Sequence, residues 1–201
     1  MARHIIGLRA LAWGLAAVLW APWVAAQDLP ARFSVTGVAA SDVLNIRAAP
    51  SAGAPILGTL APDARGVEVL GLEGAWARLG LPEGEGWAAS RFLAAEPAQD
   101  PRAAPVPLRC VGTEPFWSIA VTEAGSVFET PEETRDLRPI GRAEGFGGFV
   151  LAFDDRGETR DLTVMRAECS DGMSDRSYGF QALVWNRGEE VLEGCCFLLP
   201  K

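Results

Sequence analysis

The chain has 201 residues, 49% of them hydrophobic, and a formal net charge of −8. This length predicts one or two small domains, and the acidic charge excludes nucleic acid and anionic lipid as partners because both would repel it. The only histidine is His4 and the only lysine is Lys201, the last residue. Catalysis that depends on histidine and metal sites built from histidine are therefore not expected.

The N-terminal residues 1–26 have the pattern of a secretion signal. Arg3 and Arg9 supply positive charge, an apolar run follows from Ala10 to Trp23, and 24–26 are small residues at a cleavage site. The run is shorter than the roughly 20 residues of a membrane-spanning helix. We expect cleavage, loss of the only histidine, no membrane span in the mature chain and a periplasmic or secreted protein.

All four cysteines, Cys110, Cys169, Cys195 and Cys196, lie in the C-terminal half. An even number of cysteines in an exported chain favours structural disulfides, and three pairings are possible. A bridge between the adjacent Cys195 and Cys196 would be strained and ranks last. On a strand these two side chains point to opposite faces, so one could bond to Cys110 and the other to Cys169. Zinc is the rival interpretation, but the spacing lacks a CxxC pair, and we predict no metal and no cofactor.

A proline-rich segment at residues 95–107 divides the mature chain into two parts. Prolines interrupt helix and sheet alike, so this segment is predicted to be a semi-extended linker. The first part, residues 32–94, contains short apolar runs broken by Gly and Pro, which predict a small all-β barrel or sandwich. The predicted strands are 33–38, 43–47, 56–60, 67–70, 75–79 and 86–89.

The first part resembles the bacterial SH3 domains. The run Leu44-Asn-Ile-Arg-Ala-Ala-Pro-Ser51 is similar to that family's signature, and the segments 56–60, 76–79 and 86–87 follow in the family's order. The resemblance implies a module that binds cell-wall peptide or directs a larger exported protein to its target.

Four residues of this part are candidates for a binding groove: Asn45, Arg47, Trp76 and Trp87. The alternative is structural. Buried aromatic residues dominate the cores of small domains, so both tryptophans would belong to the core while Asn45 and Arg47 fix a turn. The sequence alone favours this second interpretation.

The second part, residues 108–201, also reads as all-β. Three hairpins with a glycine at each turn predict an antiparallel meander or small barrel stapled by disulfides. The hairpins are 116–122 with 126–129, 149–153 with 160–165, and 178–185 with 191–199.

Three segments of the second part resemble a family of exported or lipid-anchored bacterial domains of uncharacterised function. They are Cys110 to Trp117, Cys169 to Asp175 and Gly194 to Cys196. The resemblance implies no specific activity, so it contributes to the expected architecture more than to the function.

Carboxylates are the remaining candidates for chemistry. Asp171 and Asp175 flank a loop, and Glu114 would lie nearby if Cys110 and Cys169 were bridged; two carboxylates suffice for glycoside hydrolysis. Acids that cap turns are far commoner, and we favour that interpretation. A calcium site is weaker, because the spacing lacks a calcium loop's alternating ligands. Trp117 follows Phe116 on a strand, so at least one of the two can face a ligand. The alternative, which we favour, is that both are covered, one by the core and one by the linker.

These patterns together predict an exported, non-enzymatic envelope protein with no catalytic residues. The expected partner is a cell-wall peptide or an envelope protein, bound by the SH3-like module, with the linker letting the second part act at a distance. Two alternatives stay open. One is a wall hydrolase that uses Glu114, Asp171 and Asp175, and the other is an inhibitor of a secreted hydrolase.

Overall fold

The computed structural model describes residues 28–97, 100, 102–186, 188 and 190–201, so the predicted signal peptide lies outside the described residues. The described chain forms two antiparallel β units and one short 3-10 helix, Ser90–Phe92. The predicted all-β class is therefore confirmed. Among the helices of the described residues, none is long and apolar enough to cross a bilayer.

The first unit is a seven-stranded antiparallel sheet with the order β3-β2-β6-β5-β4-β1-β7. Buried side chains from five of its strands form one core, which includes Phe33, Ile46, Val69 and Leu79. Its strands are β1 (Ala31–Val35), β2 (Leu44–Arg47), β3 (Ile56–Leu60), β4 (Val67–Glu73), β5 (Trp76–Gly80), β6 (Glu85–Ala89) and β7 (Leu93–Ala95).

The second unit is a closed barrel of eight strands, in which each strand pairs with its neighbours in the chain and the last pairs with the first. The predicted meander is thus closed into an up-and-down barrel, and inward-facing residues alternate with outward-facing ones. Its strands are β8 (Leu108–Thr113), β9 (Phe116–Thr122), β10 (Gly125–Glu129), β11 (Thr134–Gly145), β12 (Gly148–Asp155), β13 (Glu158–Cys169), β14 (Tyr178–Asn186) and β15 (Leu192–Leu198).

The two ends of the barrel differ. At one end, Ala104 and Val106 of the linker pack against the barrel core; we call this the linker end. The connections 114–115, 130–133 and 156–157 lie at the opposite end, which we call the open end. Among the described residues, the linker and the first unit therefore cover one end of the barrel and not the other.

Two disulfides join the four cysteines, as Cys110–Cys196 and Cys169–Cys195. The adjacent cysteines are not bonded to each other, as expected from strand alternation. Cys110 lies directly opposite Cys196 in the β15–β8 pair, the seam that closes the barrel, and both belong to the barrel core. The other bridge lies on the outer side of β15 and holds the end of β13 against the wall.

The two units are in direct contact through a pair of buried charged residues. Arg32 of β1 and Glu68 of β4 lie opposite each other, and each is no more than 7% exposed. Arg32 donates from Nε to the Leu199 carbonyl at 2.8 Å and from Nη2 to the carbonyls of Pro105 and Pro107. The expectation that the linker lets the second unit act at a distance is wrong, because the linker itself is held in this contact.

Candidate functional site

One face of the first sheet gathers the four candidate residues of the SH3-like part. Trp87 of β6 lies opposite Arg47 of β2 on one side and opposite Arg78 of β5 on the other. Asn45 and Trp76 lie two residues from these arginines along their own strands and therefore on the same face. We call this surface, defined by Asn45, Arg47, Trp76, Arg78 and Trp87, the tryptophan face.

The interpretation of both tryptophans as core residues is wrong. Trp76 and Trp87 are only partly buried and lie outside the core cluster, whereas their neighbours Ala77 and Ala88 are fully buried within it. Strand alternation places the small residue inside and the large one outside. Arg47 does hold a turn, since its Nη1 donates to the Ala54 carbonyl at 2.8 Å.

Trp117, the candidate aromatic residue of the second part, is only 3% exposed and belongs to the barrel core. Its Nε1 donates to the Glu193 carbonyl at 3.3 Å. A Cβ atom at Gly112 would lie 2.0 Å from this nitrogen, and one at Gly194 would lie 2.7 Å from the indole ring. Only glycine leaves room for the indole at these two positions, so the two motif glycines and Trp117 form one packing unit.

An apolar hollow of about 600 Å³ lies at the open end of the barrel. Trp117 and Phe128 from the barrel core form part of its lining, with Phe116, Pro115 and Leu192 around them. Phe116 is 55% exposed. The favoured interpretation that both aromatic residues of this pair are covered is therefore wrong for Phe116, which faces outward, and holds only for Trp117. Pockets that bind small ligands have a similar volume.

A second, polar hollow of about 560 Å³ lies on the other side of the Thr113–Glu114 turn, against the outer wall of the barrel. Part of its lining comes from the loop 170–177, which folds back along the wall after β13. The Cys169–Cys195 bridge and a hydrogen bond of 3.1 Å from the Thr113 hydroxyl to the Asp171 carbonyl hold the loop there.

Asp171 organises this loop. Its carboxylate accepts hydrogen bonds from the backbone N–H groups of Met173 and Ser174 and from the hydroxyls of Ser174 and Tyr178. Burial on its own would raise the pKa of Asp171, but these hydrogen bonds lower the pKa to about 2. A carboxyl group that stays ionised in this way caps a loop and is unsuited to donate a proton in catalysis.

The three candidate carboxylates do not form one site. Glu114 and Asp171 line the polar hollow, whereas Asp175 is exposed and absent from the lining of either hollow. Within the described residues, no cluster of three or more His, Cys, Asp or Glu side chains could hold a metal ion.

A buried ionic cluster at the open end was not anticipated from the sequence. Asp155 accepts hydrogen bonds from Arg135 at 3.0 Å and from Arg160 at 2.9 Å, and both guanidinium groups lie over the ring of Phe128. Arg160 and Asp155 are each 3% exposed. The sequence did contain a signal for this cluster, because Asp155 and Arg160 occupy positions that continue the inward-facing alternation of β12 and β13.

The comparison with known protein families gives one match. Residues 42–94 match the family model described as "Bacterial SH3 domain", a segment that lies within the first unit and begins after β1. No curated protein and no solved structure matches the chain. The family of the first part is therefore shown for residues 42–94, while the family suggested for the second part still depends on its three motifs.

Proposed function

We propose that this protein is an exported envelope-binding protein whose SH3-like module binds the peptide part of the cell wall. A bacterial SH3 domain fits a wall-binding or envelope-binding module, and residues 42–94 match that family. Two disulfides are consistent with an oxidising compartment outside the cytoplasm.

The tryptophan face is the observation that carries this proposal. Trp76 and Trp87 are partly exposed beside Arg47 and Arg78, and aromatic residues and arginine are enriched where proteins bind ligands. Indole rings provide contact area for apolar peptide groups, and guanidinium groups pair with peptide carboxylates. The face adjoins the second unit at Arg78, which forms ion pairs with Glu85 and with Glu168 of β13.

We infer binding rather than catalysis for the second unit. A carboxylate pair that hydrolyses a glycoside needs one acid that is protonated at working pH. Asp171 has a pKa of about 2 and its four donors hold it ionised. Asp175 lines neither hollow, so the carboxylates Glu114, Asp171 and Asp175 do not come together as the hydrolase alternative requires.

Retention on purified cell-wall sacculi tests the proposal. We expect the full chain to cosediment with intact sacculi and the Trp76→Ala/Trp87→Ala variant to lose about tenfold in affinity, as for central aromatic contacts in other interfaces. Leu72→Ala is the matched control, since Leu72 is an exposed apolar residue of the same sheet. Sacculi stripped of their peptides by an amidase should retain neither protein. Equal retention on stripped and intact sacculi, or no retention at all, would refute the proposal.

A further inference from the structure

Exposed apolar side chains lie around the two hollows of the barrel. Phe116 lines the hollow at the open end, while Met173 and Val191 line the polar hollow beside it. All three are at least half exposed. Large apolar side chains that are exposed to solvent beside a concave surface indicate a contact site for another molecule.

Among the described residues, every charged side chain that lines either hollow is negative. Glu114 lines both, Glu132 lines the apolar hollow, and Glu193 and Asp171 line the polar one. The carboxylates of Glu114, Glu132 and Glu193 form no hydrogen bond or ion pair with any other described residue. Four other acids near the open end, Glu129, Glu133, Asp154 and Asp155, are each paired with an arginine. The unpaired acids therefore create a negative potential at a surface that also offers apolar contacts.

The nearest arginines inside the barrel do not offset this potential. Arg135 and Arg160 lie over the ring of Phe128. Their charges are engaged by Asp155 and, for Arg135, also by Glu133. Neither lines the apolar hollow. A ligand placed in the two hollows would therefore meet carboxylates and apolar groups.

We propose that the open end of the barrel binds an extended peptide segment in which lysine or arginine stands beside an aromatic or branched aliphatic residue. The ridge of Thr113 and Glu114 separates the hollows, and a peptide can place successive side chains on its two sides whereas a compact small molecule fills one. The apolar side chain enters the hollow beside Phe116 and Trp117. The cationic side chain crosses the ridge toward Glu114 and Glu193. This site lies in the second unit and is independent of the wall-binding proposal.

Fluorescence anisotropy with a dye-labelled, acetylated Gly-Ser-Lys-Phe-Leu-Ser-Gly peptide tests this site on the full, oxidised chain. We expect saturable binding that weakens as salt is raised, because the attraction is partly electrostatic. Phe116→Ala should weaken binding about tenfold, and Glu114→Gln/Glu193→Gln about threefold to tenfold. All three residues have exposed side chains, so these variants should fold.

Matched controls separate this site from general stickiness. Ile140→Ala removes an exposed apolar residue of β11, and Glu123→Gln removes an exposed acid at the linker end; both should bind normally. Trp87→Ala should also bind normally, which distinguishes this site from the tryptophan face. No saturable binding at about 1 mM peptide, equal binding of the peptide with Glu in place of Lys, or normal binding by Phe116→Ala would overturn the proposal. Equal competition by phenethylamine would overturn the peptide assignment.

Discussion

Glu68 is predicted to make the stability of this protein fall as the pH rises from 4.5 to 7. Its Oε1 accepts the Leu198 N–H at 2.9 Å, while Oε2 has no hydrogen-bond partner among the described residues and lies 3.7 Å from Arg176 Nη2. Burial raises the pKa of Glu68 to about 7, although the Leu198 N–H and the nearby Arg176 and Arg32 act in the opposite direction.

The sign follows from the protons bound in each state. Between pH 4.5 and 7 the folded chain keeps the Glu68 proton, whereas the unfolded chain, with its ordinary pKa of 4.5, has lost it. The folded state therefore binds more protons, so the free energy of unfolding decreases with pH and levels off only after the pH has passed the folded-state pKa of about 7. A pKa difference of this size corresponds to a loss of about 3 kcal/mol.

The other shifted carboxyl groups do not titrate in this window. The pKa values of Asp100, Asp154 and Asp171 are all lowered from 3.8. The stability that Asp171 adds through its hydrogen bonds is fully present above pH 3.8 and is lost only as the pH falls toward 2.

Urea unfolding at several pH values between 4.5 and 8 measures the effect. Glu68→Gln keeps an oxygen that can accept the Leu198 N–H and removes the ionisable group. The variant should therefore lack most of the decline of about 3 kcal/mol. Glu83→Gln, an exposed acid of the same unit, is the control and should follow the wild type. Parallel curves for wild type and Glu68→Gln would refute this reasoning.

Three further changes test the barrel. Cys110→Ala/Cys196→Ala removes the seam disulfide, which closes a loop over a sequence separation of 86. We expect the free energy of unfolding in urea to fall by about 4–5 kcal/mol, and a loss below about 1 kcal/mol would contradict this role. Gly194→Ala should cost about 1–3 kcal/mol and shift the emission of Trp117, because the new Cβ would lie 2.2 Å from a backbone oxygen; an unchanged spectrum and stability would contradict the packing argument. Asp155→Ala should cost about 3–5 kcal/mol by leaving two arginines without their shared acceptor; a thermal melt equal to that of wild type would count against the cluster.

The barrel contains strands that the sequence predicted and one long strand that it did not. The three hairpins predicted around glycine turns are present as β9–β10, β12–β13 and β14–β15. β11, Thr134–Gly145, was not predicted, because it contains Pro139 and several arginines and most of it is exposed. Such a strand lacks the alternation of apolar and polar residues that predicts a strand from sequence. Its hydrogen bonds to the neighbouring strands stabilise it instead.

The sequence by itself determined the all-β class, the division into two parts, the resemblance of residues 32–94 to bacterial SH3 domains, which the family comparison shows for residues 42–94, and the opposite faces of Cys195 and Cys196. These properties follow from local patterns, since turn residues and the two-residue period of a strand act within a few positions. Which cysteine each of them bonds, and that Trp87 faces outward while Trp117 is buried, were decided only by the tertiary structure. The same holds for the contact of Arg32 and Glu68 with the second unit. Each of these depends on strands far apart in the chain, and the register of their pairing selects the face that is covered.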